Sequence, residues 1–123
     1  DAGSYAAVQE MRLLQSLGFS CIGELPLPSG RRADLVALNE RGEIWIVEIK
    51  SSVEDLRADQ KWPEYRDYCD ALFFAVATDF PRDILPPEAG LIVADRFGGE
   101  LIRQAPEQWH LLQPNWPSDR LAG

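Results

Sequence analysis

Two strand-like runs separated by a short Asn/Gly-punctuated gap constrain this chain most. They are Arg31-Arg32-Ala33-Asp34-Leu35-Val36-Ala37-Leu38 and Glu43-Ile44-Trp45-Ile46-Val47-Glu48-Ile49-Lys50, joined by Asn39-Glu40-Arg41-Gly42. β-Branched and aromatic residues dominate the second run, so the pair reads as a β-hairpin. If Glu40-Arg41-Gly42 form a three-residue loop with Gly42 left-handed, Asn39 pairs with Glu43. Asp34 then lies directly opposite Glu48 on one face, with Cβ atoms about 5 Å apart. Lys50, two residues beyond Glu48, shares that face. A loop one residue shorter or longer would put the two acids on opposite faces.

Two carboxylates this close repel unless one is protonated or a cation lies between them. A hard divalent ion such as Mg²⁺ suits one or two carboxylates completed by water and substrate phosphates. An ammonium beside them can orient or deprotonate an attacking water, or neutralise charge developing on a phosphate. The pattern therefore points to metal-assisted phosphodiester hydrolysis.

As a bare string, Glu-x-Lys arises by chance in roughly half of chains this long, at about 6% each for Glu and Lys. Taken alone it is compatible with a surface hairpin whose charges are simply solvated. Both hairpin faces are apolar, however: Val36, Leu38, Ile44 and Ile46 share the acid face, and Leu35, Trp45, Val47 and Ile49 the other. Strands covered on both sides belong in the middle of a layered α/β domain. Charges at the ends of such strands are costly to bury without a partner and are tolerated where they serve a function. The chain's two lysines, Lys50 and Lys61, both fall in this region.

At 123 residues, with 46% hydrophobic and 26% charged residues, the whole chain, 1–123, reads as one domain. It opens on Asp1 rather than Met, as a trimmed part of a longer chain does. No apolar run approaches the roughly 20 residues of a membrane span, and no signal segment opens it. Cys21 and Cys69 make neither a disulfide framework nor a metal-finger spacing, and read as reduced core thiols of a cytoplasmic protein. His110 has no Cys or His at ligand spacing and reads as structural. The net charge of −8 opposes nucleic-acid binding by the chain as a whole. Arg31, Arg32, Lys50, Arg57 and Lys61 nevertheless cluster in one stretch, so local charge can differ in sign from the total.

A helix is expected over Ser4 to Leu17, with Ser4 as N-cap and Gly18 as stop, then a strand around Cys21 to Leu25. After the hairpin, Ser51 to Glu54 has capping-box spacing for a helix through Leu56. Pro63 interrupts that helix, and Glu64 to Ala71 follow. Buried strands are expected at Leu72–Ala77 and Leu91–Ala94, with Glu100–Arg103 after the Gly98-Gly99 turn. From about Ala105 the tail, with its prolines, Trp109 and Trp116, has no period. Mixed connections of this kind suggest a central mixed sheet with helices on both faces.

Helix–β–β–β–helix–β, with Asp on the second strand and Glu-x-Lys on the third, resembles the PD-(D/E)XK nuclease superfamily. Within it, the chain resembles the MmcB-like DNA-repair endonucleases, which are bacterial. The matching stretches are Gly30-Arg31-Arg32-Ala33-Asp34, Val47-Glu48-Ile49-Lys50-Ser51-Ser52, Asp59-Gln60-Lys61-Trp62-Pro63-Glu64-Tyr65, Cys69-Asp70, Phe74-Ala75-Val76 and Gly90-Leu91-Ile92-Val93-Ala94-Asp95. The resemblance implies an α/β, restriction-endonuclease-like core in αβββαβ order, a DNA substrate and a repair context. It implies Mg²⁺ or Mn²⁺ held by Asp34, Glu48 and the carbonyl of Ile49, with Lys50 as the catalytic ammonium. Lys61 with Tyr65 resembles the Gln-x-x-x-Tyr helix element of some superfamily nucleases, which puts Lys61 near a phosphate.

Arg31 and Arg32 are further candidates for DNA contacts, at most one of them pointing into the site. Of two candidates for an additional acid, Glu10 is expected at the surface and Glu24, in a short apolar strand, is better placed. Trp62 and Tyr65 suit core packing more than base stacking. Ser51 and Ser52 read as helix caps. The implied activity is a metal-dependent DNA endonuclease of a repair pathway; the alternative is an inactive nuclease-fold module that binds DNA or a repair protein.

Overall fold

The computed structural model describes residues 2–106, with side chains from Ala7 onward. The expectations for Trp109, His110 and Trp116 lie outside the described residues. Helix α1 spans Ala2–Ser16, followed by strands β1 (Ser20–Pro26), β2 (Arg32–Leu38) and β3 (Ile44–Ile49). Two short helices, α2 (Val53–Ala58) and α3 (Trp62–Tyr65), lead to β4 (Ala71–Val76), β5 (Gly90–Ala94) and β6 (Gly99–Arg103). The six strands form one sheet in sequential order, antiparallel from β1 to β3, parallel from β3 to β5, and antiparallel again at β6. This is the mixed sheet in αβββαβ order that the sequence led us to expect. Among the described residues, no helix is long and apolar enough to cross a membrane.

The hairpin turn sets the register. Asn39 Oδ1 accepts the N–H groups of Arg41 and Glu43, Asn39 N–H donates to the Glu43 carbonyl, and Gly42 has φ +81°. Glu40-Arg41-Gly42 are therefore a three-residue loop, with Gly42 in the region a side chain would strain. Leu38 pairs with Ile44 and Leu35 with Val47, so one step further Asp34 faces Glu48.

Alternation then sorts the apolar residues into two cores. Val36, Ile44, Ile46 and Phe74 pack under Leu56 of α2 and Tyr65 of α3. Leu35, Trp45, Val47 and Phe73 pack on the other side with Leu14 of α1 and with Phe19. Trp45 makes tilted ring contacts with Phe19 and Phe73, at 4.3 and 4.5 Å between ring centroids. Leu38, expected to be covered, is half-exposed where β2 ends beside Ser20 of the edge strand. Cys69 is buried, its thiol donating to the Tyr65 carbonyl at 3.4 Å, and Cys21 is half-buried; neither is in a disulfide.

Local details correct the sequence reading. Ser4 lies inside α1, which starts at Ala2, so it does not cap it. The cap of α2 is Ser52, whose Oγ accepts the Asp55 N–H, while the Asp55 carboxylate accepts the Ser51 N–H. The capping pair thus falls one residue later than Ser51 and Glu54. The segment after Pro63 is helical through Tyr65 and then a 3₁₀ turn to Tyr68, stopping short of Ala71. Asp70 ends it by exchanging two hydrogen bonds of 2.7 Å with the backbone of Ile44, which releases Ala71 to pair with Trp45.

Gly90 opens β5 where a Cβ would overlap the Phe73 ring and the Ala105 backbone nitrogen. Neither a packed ring nor a main-chain atom can give way cheaply. Gly90→Ala is predicted to lower stability by about 1–3 kcal/mol, read from the urea midpoint; an unchanged midpoint would contradict this packing.

Candidate active site

The two hairpin acids interlock through each other's strands. The Asp34 N–H donates to Glu48 Oε2 at 3.0 Å, and the Ile49 N–H donates to Asp34 Oδ2 at 2.9 Å. Glu48 is 4% exposed and Asp34 half-buried. Burial, then the charge of Asp34, pushes the Glu48 carboxyl up to about 8 despite the Asp34 N–H and the Lys50 ammonium. Burial also raises Asp34, against the Ile49 N–H and Lys50, and the charges of Asp55 and Asp59 push the same way. Without a cation the pair therefore resists being doubly ionised at neutral pH.

Lys50 continues β3 by donating its backbone N–H to the Ala75 carbonyl at 3.0 Å. Its side chain is 7% exposed, with Nζ 2.6 Å from Asp59 Oδ2. Burial alone would raise Asp59, but the Lys50 hydrogen bond and the backbone N–H groups of Lys61 and Trp62 outweigh it, holding Asp59 below the usual carboxylate range. Asp59, at the C-cap of α2, thus anchors the ammonium to the start of α3. Tyr65 closes one side: its hydroxyl donates to the Arg32 carbonyl at 3.2 Å. Burial, followed by the charges of Glu48, Asp34 and Asp59, pushes that phenol up to about 12.

The other candidates are placed differently. The Lys61 side chain is exposed, and its backbone N–H is what engages the cluster, on Asp59 at 2.9 Å. Arg31 Nε pairs with Glu64 at 3.0 Å, and the Arg32 side chain is exposed. Trp62 packs edge-on against Phe74 at 5.7 Å and Tyr65 is buried, so both serve the core.

The expectations for the two further acids are reversed. Glu24 is exposed at φ +56°, the one positive φ outside glycine among the described residues, flanked by the pairs Gly23–Leu35 and Leu25–Ala33. That kink breaks the alternation that would have carried Glu24 to the Asp34 side. Glu10 is 1% exposed, with one carboxylate oxygen lacking a hydrogen-bond partner. Burial, then the charge of Asp34, pushes it up to about 8. The signal for Glu10 was its place one turn before the buried Leu14 on the same helical face. Asp59 had no local signal, because the contact joins a strand end to a helix end across a loop.

The donor set that could hold an ion is all oxygen: the Asp34 and Glu48 carboxylates and the Ile49 carbonyl beside them. Such a set fits a hard divalent cation that keeps several waters. Among the described residues, no three His, Cys, Asp or Glu side chains gather as a metal centre.

A family model described as DNA repair protein MmcB-like matches residues 5–116. The chain belongs to the MmcB-like DNA repair proteins. No curated protein matches this MmcB-like chain. It is similar to the solved structure of the SPO1766 protein of unknown function from Silicibacter pomeroyi, with TM-score 0.81, 42% identity, and coverage of 88% of this chain and 74% of that one. A repair endonuclease from Pyrococcus abyssi gives TM-score 0.40 and 17% identity over 62% of this chain and 36% of its own, a likeness on which nothing further rests.

The raised acids give stability a definite pH dependence. Unfolded, Glu10 releases its proton near 4.5; folded, near 8. Between those values the folded state holds the extra proton, so stability falls as pH rises through this window, and Glu48 acts in the same sense. Glu10→Gln keeps the shape without the charge. It is predicted to gain on the order of 1–3 kcal/mol over the parent at about pH 9, and little at about pH 4. Parallel urea-midpoint profiles for the two proteins would refute this placement of Glu10.

Proposed function

We propose that this MmcB-like domain is a divalent-metal-dependent DNA nuclease. The observation that carries the reading is the interlocked, largely buried Asp34–Glu48 pair, with Lys50 adjoining it at the same sheet edge. Asp34, Glu48 and the Ile49 carbonyl would hold Mg²⁺ or Mn²⁺. When bound, the ion supplies Lewis-acid polarisation of the phosphodiester.

Lys50 orients the attacking water and neutralises charge growing on the phosphate oxygens. Asp59 keeps that ammonium at the strand end, and Tyr65 fixes the Arg32 backbone at the entrance to β2. Lys61 and Arg32, both exposed, and Arg31, paired with Glu64, would meet DNA phosphates, with local positive charge offsetting the acidic whole.

The 2.6 Å contact committing Lys50 to Asp59 favours one other reading, a nuclease-fold module that binds DNA or a repair protein without cutting. Labelled single-stranded, duplex, flapped, abasic and mismatched DNAs, each with Mg²⁺, Mn²⁺ or EDTA, separate the two. Metal-dependent cutting is expected, reduced at least about a hundredfold in Asp34→Asn and in Lys50→Ala, with both variants folded by circular dichroism. Unchanged cutting in either variant would sink the mechanism. DNA bound but never cut by the folded parent would select the module.

A further inference from the structure

Strands β3, β4 and β5 run parallel, so their C-terminal ends emerge at one edge of the sheet. Lys50 leaves that edge from β3, and the Asp95–Gly98 turn leaves it from β5. Ile49, Ala75 and Ile92 lie in one row, which sets β5 two strand spacings, about 10 Å, from β3. The faces agree as well. Glu48 pairs with Phe74 and Phe74 with Leu91, and alternation carries that side on to Val93, which pairs with Glu100. Thr78, Val93, Asp95, Phe97 and Glu100 line an open hollow of about 420 Å³ there.

Phe97 is 85% exposed, more than any other large hydrophobic residue among those described. The turn that carries it is well tied. Asp95 Oδ1 accepts the N–H groups of Phe97 and Gly98 at 2.8 and 3.1 Å, and the Asp95 N–H donates to the Gly98 carbonyl at 2.9 Å. The Arg96 guanidinium lies 5.5 Å from the ring centroid. A ring so exposed adds little to the core, yet the turn holds it in place beside the hollow.

We propose that Phe97 is a base-stacking platform: a nucleobase splayed from the DNA lies on its ring while a neighbouring phosphodiester occupies the Asp34–Glu48 site. This rests on DNA being the substrate of that site. Every base offers a π-face to an aromatic ring, and a nearby Arg adds a cationic face. Asp95 and Glu100 beside the ring disfavour a phosphate there, but accept hydrogen bonds from the amino groups of bases. One exposed ring sharing a hollow with two acidic residues suits a flat, amino-bearing heterocycle better than a protein surface, which needs contiguous apolar area.

The test uses a short single-stranded oligodeoxynucleotide carrying a fluorescent adenine analogue, with Ca²⁺ in place of Mg²⁺ to keep the strand intact. The parent is expected to quench the analogue. Phe97→Ala should bind about tenfold more weakly, without quenching and with an unchanged salt slope, since no phosphate contact is lost. Phe97→Tyr should restore both signals and Phe97→Leu neither. Parent-like binding and quenching in Phe97→Ala would overturn the platform and leave the DNA reading standing. Full rescue by Phe97→Leu would also overturn it, because an apolar contact of the kind a protein partner makes would then suffice. A parent that binds no DNA in the panel would refute the DNA reading itself, and the platform with it.

Discussion

The site depends on an exchange in which each hairpin acid satisfies a backbone donor of the opposite strand. The described pairs between β2 and β3 stop at Leu35–Val47. Beyond that point the Glu48 carboxylate takes the Asp34 N–H and the Asp34 carboxylate takes the Ile49 N–H. The acids thus stand in for ladder acceptors, and neither can swing away without orphaning a donor in a poorly hydrated place. Their proximity is fixed by the fold, and burial first, then the Asp34 charge, holds Glu48 up near 8.

The surrounding groups temper that repulsion unequally. The Lys50 ammonium favours both charges but also belongs to Asp59, which three donors hold ionised. This pair ties the end of β3 to the junction of α2 and α3, so the ammonium's position follows from how the crossover closes. Glu10, buried on α1, is itself pushed up to about 8, first by burial and then by the Asp34 charge. Such a cluster has an excess of acid over nearby base. Accommodating one divalent cation is the change that would relieve it most directly.

The hairpin was legible because its register rests on local chemistry. Asn39 and Gly42 dictate a three-residue loop, and parity then carries Asp34 to Glu48 with no tertiary information. The mixed character of the sheet followed from the hairpin, the helical segment after it and the apolar runs at Leu72 and Leu91, whereas the strand order came from the structure. Relations between distant segments were not legible. Asp59 on Lys50 depends on the path of a loop, and Asp70 on Ile44 on where a helix unwinds. Glu24 was misplaced because strand alternation assumes extended φ, and that residue is left-handed. Glu10 was misplaced because charge was weighted above its position on the apolar stripe of α1.

The claim that the Asp34–Glu48 pair is built to share a cation is tested most directly by calorimetric titration of Mn²⁺ into the protein. Working near neutral pH in two buffers of different ionisation enthalpy also counts protons. The account predicts binding with release of about one proton, given up chiefly by Glu48 as metal replaces it, and loss of that binding in Asp34→Asn. No uptake of Mn²⁺ with or without DNA, or uptake indifferent to Asp34→Asn, would contradict it.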